Sequence, residues 1–227
     1  EMYDPEQITL PDNWNEIKDE LAHLVEQRKR YYQTDFDEEE LREVIAQTYG
    51  MISHIDDNIG RVMDSLEDKG LADNTIVVFM ADHSEYLGTH NLLGKSVWPY
   101  EELLRVPFIW YDPVENISEH SSKTVVSLLD FAPTILDYAE IDENKLDCRG
   151  YRHADRMGLP GRSLKPYLRE GQELTEKAAF MEYDEDWHPG PVYRTRTIIR
   201  ERYKLTLFAQ NGDGLLFDLE NDPLELF

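Results

Sequence analysis

The sequence predicts an α/β fold followed by a small antiparallel sheet near the carboxyl end. Two patterns lead to this prediction. Between Asp37 and Lys69 apolar residues recur at helical spacing, and a short turn then leads into an unbroken apolar run, Thr75–Met80. From Tyr203 to Phe208 the side chains alternate as they do in a strand, and Asn211-Gly212 then offers a hairpin turn.

The helical segment carries its own start and stop signals. Asp37 followed by Glu40 has the pattern of a capping box, and Lys69-Gly70 supplies a cation and then a glycine for the helix end. The β-branched run that follows is typical of a strand buried on both faces, so helix, turn and strand predict half of a parallel α/β unit. The apolar positions recur at helical spacing between acidic and amide residues and predict one long amphipathic helix: Leu41, Val44, Ile45, Ile52, Ile55, Ile59, Val62 and Leu66.

Weaker signals continue through the middle of the chain. Val106–Tyr111 should be a second strand, which the proline at its second position confines to an edge or to a strand start. The pair Val125-Val126 is expected to begin a third strand. Asp130 should cap a helix that runs to about Ala139.

Residues 141–175 are polar and contain glycine and proline, so we expect a connection with little regular structure. We therefore predict two parts, a core domain over residues 1–175 and a small antiparallel subdomain over residues 176–227. Apolar residues make up 41% of the 227, which is enough for a real core and counts against a disordered chain.

The chain is strongly acidic, with 47 aspartates and glutamates against 23 lysines and arginines and a net charge of −24. Such a chain should repel nucleic acids and anionic membranes, although a salt-adapted source would explain the acidity without any function. No stretch approaches the roughly 20 continuous apolar residues of a membrane span, so no span is predicted. The single cysteine, Cys148, excludes an internal disulfide framework and leaves the compartment open.

The segment from Met80 to Ser96 concentrates chemically active side chains. Asp82 and His83 stand directly after the predicted buried strand, where open α/β sheets place their ligand crevice, and a carboxylate beside an imidazole can ligate a divalent cation. Glycines at positions 88 and 94 would let the loop fold back, so that Lys95 brings an ammonium group to the same crevice and holds an anion. Taken alone, an aspartate and a histidine after a strand are more often a turn residue and a surface histidine.

One further histidine of this loop is a candidate. His90 can approach a substrate from the loop and take part in catalysis, whereas a solvated histidine at a loop tip is the alternative.

The string Asp82-His83-Ser84-Glu85, followed by Gly94-Lys95-Ser96, resembles the sulfatases of the alkaline phosphatase superfamily, in which a strand ends in Asp-His-Gly-Glu or Asp-Asn-Gly and a lysine follows. Ser84 stands where the family usually has glycine. The resemblance runs from about residue 45 to the end, because four further segments match in the family's order: 49–62, 126–136, 161–164 and 202–223.

The resemblance implies the later part of an alkaline-phosphatase-like sulfatase fold and hydrolysis of sulfuric esters. It assigns Asp82 and His83 to a divalent metal and Lys95 to the sulfate or phosphate oxygens. Calcium is the metal expected from the resemblance, with manganese as the alternative because manganese accepts an imidazole ligand more readily. The substrate would be a small-molecule or carbohydrate sulfate ester, and an oligomer is left open.

The family's nucleophile is a formylglycine made from the cysteine of a Cys-x-Pro/Ala-x-Arg motif, which lies upstream of the Asp-His pair together with two more metal-binding aspartates. Cys148 does not fit, since Gly150 replaces the proline or alanine and the segment follows Asp82. We therefore expect formylglycine in a missing amino-terminal half, and no activity from this chain alone.

Two other functions remain open. A phosphodiesterase or phosphonate monoester hydrolase of the same superfamily would use the same metal and lysine, because sulfate and phosphate esters share a tetrahedral, anionic reacting group. A non-catalytic module with the sulfatase fold is the alternative from another class, and the retention of Asp82, His83 and Lys95 together counts against it.

Overall fold

The computed structural model describes residues 2–16, 21, 25, 36–115, 124–142, 159–171, 174, 178–185, 193–209 and 212–226. The chain divides into two compact units. The first comprises Glu1–Val114 and Leu219–Phe227, and the second comprises Glu115–Asp218. The domain boundary at residue 175 stays a prediction. None of the helices in the described ranges is long and apolar enough to cross a lipid bilayer.

The first unit is built on a 31-residue helix, α1, Glu38–Asp68. The predicted capping box is confirmed: the Asp37 carboxylate accepts from the Glu40 amide at 2.9 Å, and the Glu40 side chain accepts from the Asp37 amide at 3.0 Å. Gly70 follows the helix with φ +63°, a conformation that suits glycine. Local signals of this kind define the helix ends because they require no tertiary partner.

Only the first part of the apolar stripe of α1 is buried. Leu41 and Ile45 form a small core with Ile8 of the amino-terminal segment. Further along, Ile52 and Val62 are 56% and 62% exposed, and Met51 and Ile55 are also more than half exposed. The predicted long helix is confirmed, and the later apolar positions of its stripe stay at least partly exposed among the described residues.

Two short strands follow in the chain. Strand β1 comprises Val77–Met80, and strand β2 comprises Phe108–Tyr111. The one-turn helix α2, Glu101–Leu104, lies between them in sequence. The two strands pair antiparallel, with Val77 opposite Tyr111 and Phe79 opposite Ile109. These side chains share one face of the pair, which stays open: Ile109 is 59% exposed. The predictions of burial on both faces and of a parallel unit are thus wrong for the described residues, in which every strand pairing is antiparallel.

In the second unit a 3-10 turn, Leu128–Asp130, leads into α3, Phe131–Tyr138. The predicted third strand at Val125-Val126 is wrong, since neither residue belongs to a strand. Ser127 caps the turn by accepting from the Leu129 amide, and the Asp130 side chain does not cap α3. The buried Asp130 carboxylate instead accepts from the amides of Ser127 and Arg162. A short helix, α4, Lys165–Glu170, occupies part of the predicted connection. Cys148 lies outside the described residues.

Four antiparallel strands complete the second unit and confirm the predicted small sheet: β3, Ala178–Glu185, β4, Tyr193–Arg200, β5, Tyr203–Phe208, and β6, Gly214–Asp218. They lie side by side in chain order. The alternation along β5 buries Lys204, Thr206 and Phe208 and leaves Tyr203 and Leu207 exposed. Of the predicted hairpin turn, Asn211 lies outside the described residues and Gly212 has φ +74°.

Candidate active site

Asp82 and His83 follow the last residue of β1 by two and three positions. The Asp82 side chain is 90% exposed, and its Oδ1 accepts from the His83 amide at 3.0 Å. Backbone N–H groups of Asp82 and His83 lower the pKa of the Asp82 carboxyl below its ordinary value of 3.8, and the neighbouring His83 and Lys95 side chains add to this. The carboxyl is therefore an anion at neutral pH, as a metal ligand must be.

The orientation of the His83 ring is set by its own backbone neighbour. Nδ1 lies 2.9 Å from the Ser84 carbonyl oxygen, and this oxygen can only accept, so Nδ1 carries the proton and donates. In the neutral ring Nε2 then has a free lone pair. That lone pair points at the Lys95 ammonium, whose Nζ lies 2.6 Å from Nε2. The structure thus brings together the three residues that the sequence singled out.

A tight loop returns the chain to His83; we call residues 82–96 the return loop. Two backbone bonds run across it, from the Tyr86 amide to the Gly94 carbonyl at 3.1 Å and from the Gly88 amide to the Leu92 carbonyl at 2.8 Å. These bonds place residue 95 back beside the start of the loop. The φ angles of Gly88 and Gly94 are +97° and +72°, so both glycines adopt the left-handed region that the fold-back needs.

Gly88 also meets a packing requirement. A Cβ atom at this position would lie 2.7 Å from both methyl carbons of Leu41, and Leu41 is fully buried in α1. The return loop therefore packs directly against the buried amino-terminal part of α1. This contact joins the loop to the core of the first unit.

Asp82 and His83 can both reach one cation. Asp82 Oδ2 and His83 Nε2 are 3.8 Å apart, and two metal–ligand bonds of about 2.0–2.6 Å together span that separation. The donor set is an exposed carboxylate and a lone pair on an imidazole, which suits a divalent metal. Within the described ranges no three His, Cys, Asp or Glu side chains converge, so these two donors are part of a ligand set at most.

His90 lies elsewhere in the loop, and only 3% of the residue is exposed. Its ring stacks on Tyr100 at 3.6 Å between ring centroids, and its Nε2 lies 3.2 Å from Asn13 Nδ2 and 4.0 Å from Glu102 Oε2. His90 is therefore part of the packing beneath the loop, where it contacts Asn13 of the amino-terminal segment. A catalytic role for His90 stays a prediction.

Sequence reasoning gave no role to Glu85. Its carboxylate Oε1 accepts from the Gly94 amide at 3.2 Å, next to Lys95 in the chain. Glu85, Tyr86 and Glu102 also line an open depression of about 280 Å³ together with Thr9 and Tyr49. The residue was visible in the Asp-His-Ser-Glu string, but its contact depends on the register of the loop, which the string does not reveal.

Comparison with known proteins adds a family to this geometry. The sulfatase family profile matches residues 22–141, and the profile of the N-sulphoglucosamine sulphohydrolase carboxyl-terminal region matches residues 88–227. An arylsulfatase of Clostridium perfringens is 33% identical over 189 residues, which are 82% of this chain and 36% of that protein. An N-acetylglucosamine-6-O-sulfatase of Bacteroides thetaiotaomicron is 34% identical over 177 residues, 76% of this chain and 29% of that protein.

A solved structure agrees with these matches. The crystal structure of the phosphonate monoester hydrolase of Agrobacterium radiobacter superposes with a TM-score of 0.72 at 29% identity, over 85% of this chain and 38% of that one. The chain thus spans about a third of the length of these three relatives.

Proposed function

The chain belongs to the sulfatase family, and from this premise we propose that it forms the carboxyl-terminal part of an enzyme that hydrolyses sulfuric esters with a divalent cation. One observation carries the proposal: the Lys95 ammonium lies 2.6 Å from His83 Nε2, directly beside the exposed Asp82 carboxylate. A cationic anion-binding group next to two metal donors is the arrangement that ester hydrolysis at sulfur needs.

In this proposal Asp82 and His83 hold the cation. When bound, the cation would offset negative charge on the nucleophile and on an ester oxygen. We expect calcium, with manganese as the alternative because of the imidazole ligand. The lowered pKa of Asp82 keeps the carboxylate charged, and the bond from His83 Nδ1 to the Ser84 carbonyl keeps Nε2 available. Both features prepare the two donors before any ligand arrives.

Lys95 would hold the sulfuryl oxygens. His83 Nε2 has one lone pair, so accepting from Lys95 and ligating a cation exclude one another. His83 would hold a metal through this lone pair, and Lys95 would then donate to an anion in place of His83. In a chain of net charge −24, a lysine and a metal at one point would supply the local positive potential that an anionic substrate requires.

We further infer that this chain works as one part of a longer protein. Several large apolar side chains of α1 and of the β1-β2 pair are exposed, among them Ile52, Val62 and Ile109. A two-stranded sheet is also marginal by itself in water. The relatives are about three times as long as the matched region. We propose that an upstream segment covers these surfaces and supplies the formylglycine nucleophile.

The substrate class follows from the family and its members. One relative is named as a sulfatase of N-acetylglucosamine 6-O-sulfate groups, so a carbohydrate or small-molecule sulfate ester is the substrate that we propose. The acidity of the chain makes nucleic acid an unfavourable partner.

Phosphonate or phosphodiester hydrolysis is the second candidate. It is favoured by the likeness to a phosphonate monoester hydrolase, which is about as strong as the likeness to sulfatases. Asp82, His83 and Lys95 would serve either reaction, because both groups are tetrahedral and anionic.

The test is an assay of the parent protein, with its upstream segment, on an aryl sulfate, an aryl phosphonate and an aryl phosphodiester. We expect the sulfate to be hydrolysed with the highest kcat/KM, and activity to disappear on chelation and return with calcium or manganese. Preference for the phosphonate or phosphodiester would select the second candidate. Hydrolysis of none of the three by metal-loaded, formylglycine-bearing protein would leave a non-catalytic module as the better description.

A further inference from the structure

We propose that Glu85 is a positioning residue that sets Lys95 for anion binding by fixing the peptide group of Gly94. The inference rests on the proposed function of Lys95 and adds to it a residue to which no role has been assigned.

Gly94 is held from both sides by two consecutive residues near the start of the return loop. Its amide donates to Glu85 Oε1 at 3.2 Å, and its carbonyl accepts from the Tyr86 amide at 3.1 Å. Lys95 is the next residue in the chain. The direction in which its side chain leaves the backbone therefore depends on these two bonds.

Packing does not replace the bonds. Gly94 is exposed, its φ is +72°, and a Cβ atom built on it would meet no other atom within 4 Å. A glycine in open space has wide conformational freedom, and hydrogen bonds are then the main restraint on its peptide groups. The bond to Glu85 has an ionised acceptor, which makes it stronger than a bond between neutral groups.

The effect on chemistry is indirect. Glu85 restrains the backbone from which Lys95 extends, and the Lys95 ammonium makes the contact with His83 Nε2. A long side chain has many rotamers, so a mobile backbone at residue 94 would spread the ammonium over a larger volume. The ammonium would then stabilise a transition state less well, since small misplacements of a charged group are costly.

A double-mutant cycle in the parent enzyme separates this role from a general contribution to loop stability. We expect Glu85→Ala to lower kcat/KM for an aryl sulfate about tenfold, and to weaken inhibition by inorganic sulfate by a similar factor. Glu85→Gln should stay within about threefold of wild type, because its amide oxygen still accepts from the Gly94 amide. In a Lys95→Ala background, Glu85→Ala should change kcat/KM by less than about twofold.

The 227-residue chain offers a direct check of the contact. Amide hydrogen exchange at Gly94, measured by NMR, should become about threefold to tenfold faster in Glu85→Ala and should change little in Glu85→Gln. Unchanged exchange in Glu85→Ala would overturn the proposal.

The anion-binding role of Lys95 and the positioning role of Glu85 lead to different results in the double-mutant cycle. If Lys95→Ala is as active as wild type, the anion-binding role of Lys95 is wrong and the proposed function fails with it. If Lys95→Ala is impaired but Glu85→Ala has the same effect in both backgrounds, only the positioning role of Glu85 is wrong.

Discussion

The return loop and the β1-β2 strand pair, whose strands lie before and after the loop in the chain, differ in how fully their residues are packed. The loop is closed by bonds within its own length, and buried residues such as Tyr86 and Leu92 lie inside it. The β1-β2 pair is less well packed, since Ile109 and Tyr111 on one of its faces are exposed to solvent. The charged part of the site is thus formed by local interactions, whereas one face of the strand pair beside it is open, and we propose that further protein covers that face.

The first prediction concerns this dependence and has the largest expected effect. The 227-residue chain should show no hydrolysis of an aryl sulfate above buffer, because its described part holds the two proposed metal ligands and a lysine but no proposed nucleophile. The parent protein, with its cysteine converted to formylglycine, should turn over. Parallel assays at equal concentration measure the difference. Turnover by the short chain at a rate near that of the parent would show that the site is complete without further protein.

The second prediction concerns the Lys95 ammonium group of the return loop. Lys95→Ala in the parent enzyme should lower kcat about 100-fold or more, because the ammonium would stabilise charge that grows in the transition state. Lys95→Arg keeps the charge and serves as the matched control, with an intermediate rate expected from its different geometry. Steady-state kinetics with 4-nitrophenyl sulfate give both values. An unchanged kcat in Lys95→Ala would contradict the role.

The third prediction concerns the metal donors. Asp82→Ala should weaken metal binding at least about tenfold and lower the rate in proportion, since even supporting residues of metal sites have effects of this size. Metal content by mass spectrometry and activity should be read on the same samples. Glu43→Ala, an exposed carboxylate of α1, is the control for loss of one negative charge. Equal metal content in the Asp82 and Glu43 variants would remove Asp82 from the ligand set.

The fourth prediction tests how firmly the return loop is joined to α1. Gly88→Ala would place a methyl group 2.7 Å from the buried Leu41 side chain and would strain a φ of +97°. We expect a loss of about 2–3 kcal/mol in the free energy of unfolding. Gly94→Ala is the matched control, because its φ is also positive but its surroundings are open, and about 1 kcal/mol is expected there. Thermal or urea unfolding followed by circular dichroism measures both, and equal losses would mean that strain alone acts.

The fifth prediction lies in the second unit and is the smallest. Ser163 Oγ donates to Asp137 Oδ2 at 2.5 Å, and this bond, with the Lys165 ammonium, lowers the pKa of Asp137 below 3.8. A lowered pKa in the folded state means that the carboxylate stabilises the fold above the ordinary pKa and that this contribution is lost as pH falls through the lowered value. Asp137→Asn should cost less than about 1 kcal/mol at pH 7, because the side chain is partly exposed, and nothing at strongly acid pH. A constant difference across pH would exclude this origin.

The parts of the fold that the sequence predicts best are those with local causes. The ends of α1 depend on Asp37, Glu40 and Gly70, which act on their own neighbours. The α/β fold of the sulfatase type is confirmed by the likeness to solved structures. Burial of β1 and the direction of its partner depend on distant chain segments, and these predictions are wrong for the described residues.

In the second unit and in the site, too, features with local causes could be predicted and features that depend on tertiary pairing could not. Strand β3 was missed because acidic residues interrupt its apolar pattern, and its pairing with β4 decides its conformation. The proximity of Lys95 to His83 could be expected from the two glycines between them. The contact between Glu85 and Gly94 and the burial of His90 could not, since both depend on the register of the loop.

The bond from the His83 ring to the Ser84 backbone has a consequence for variation at position 84. The acceptor is a main-chain carbonyl, which every amino acid possesses, and Ser84 does not have a positive φ. The orientation of the imidazole is therefore independent of the side chain that follows it. A serine in place of the family's usual glycine therefore keeps the carbonyl that His83 Nδ1 contacts, and we expect Ser84→Gly to leave the direction of the ring unchanged.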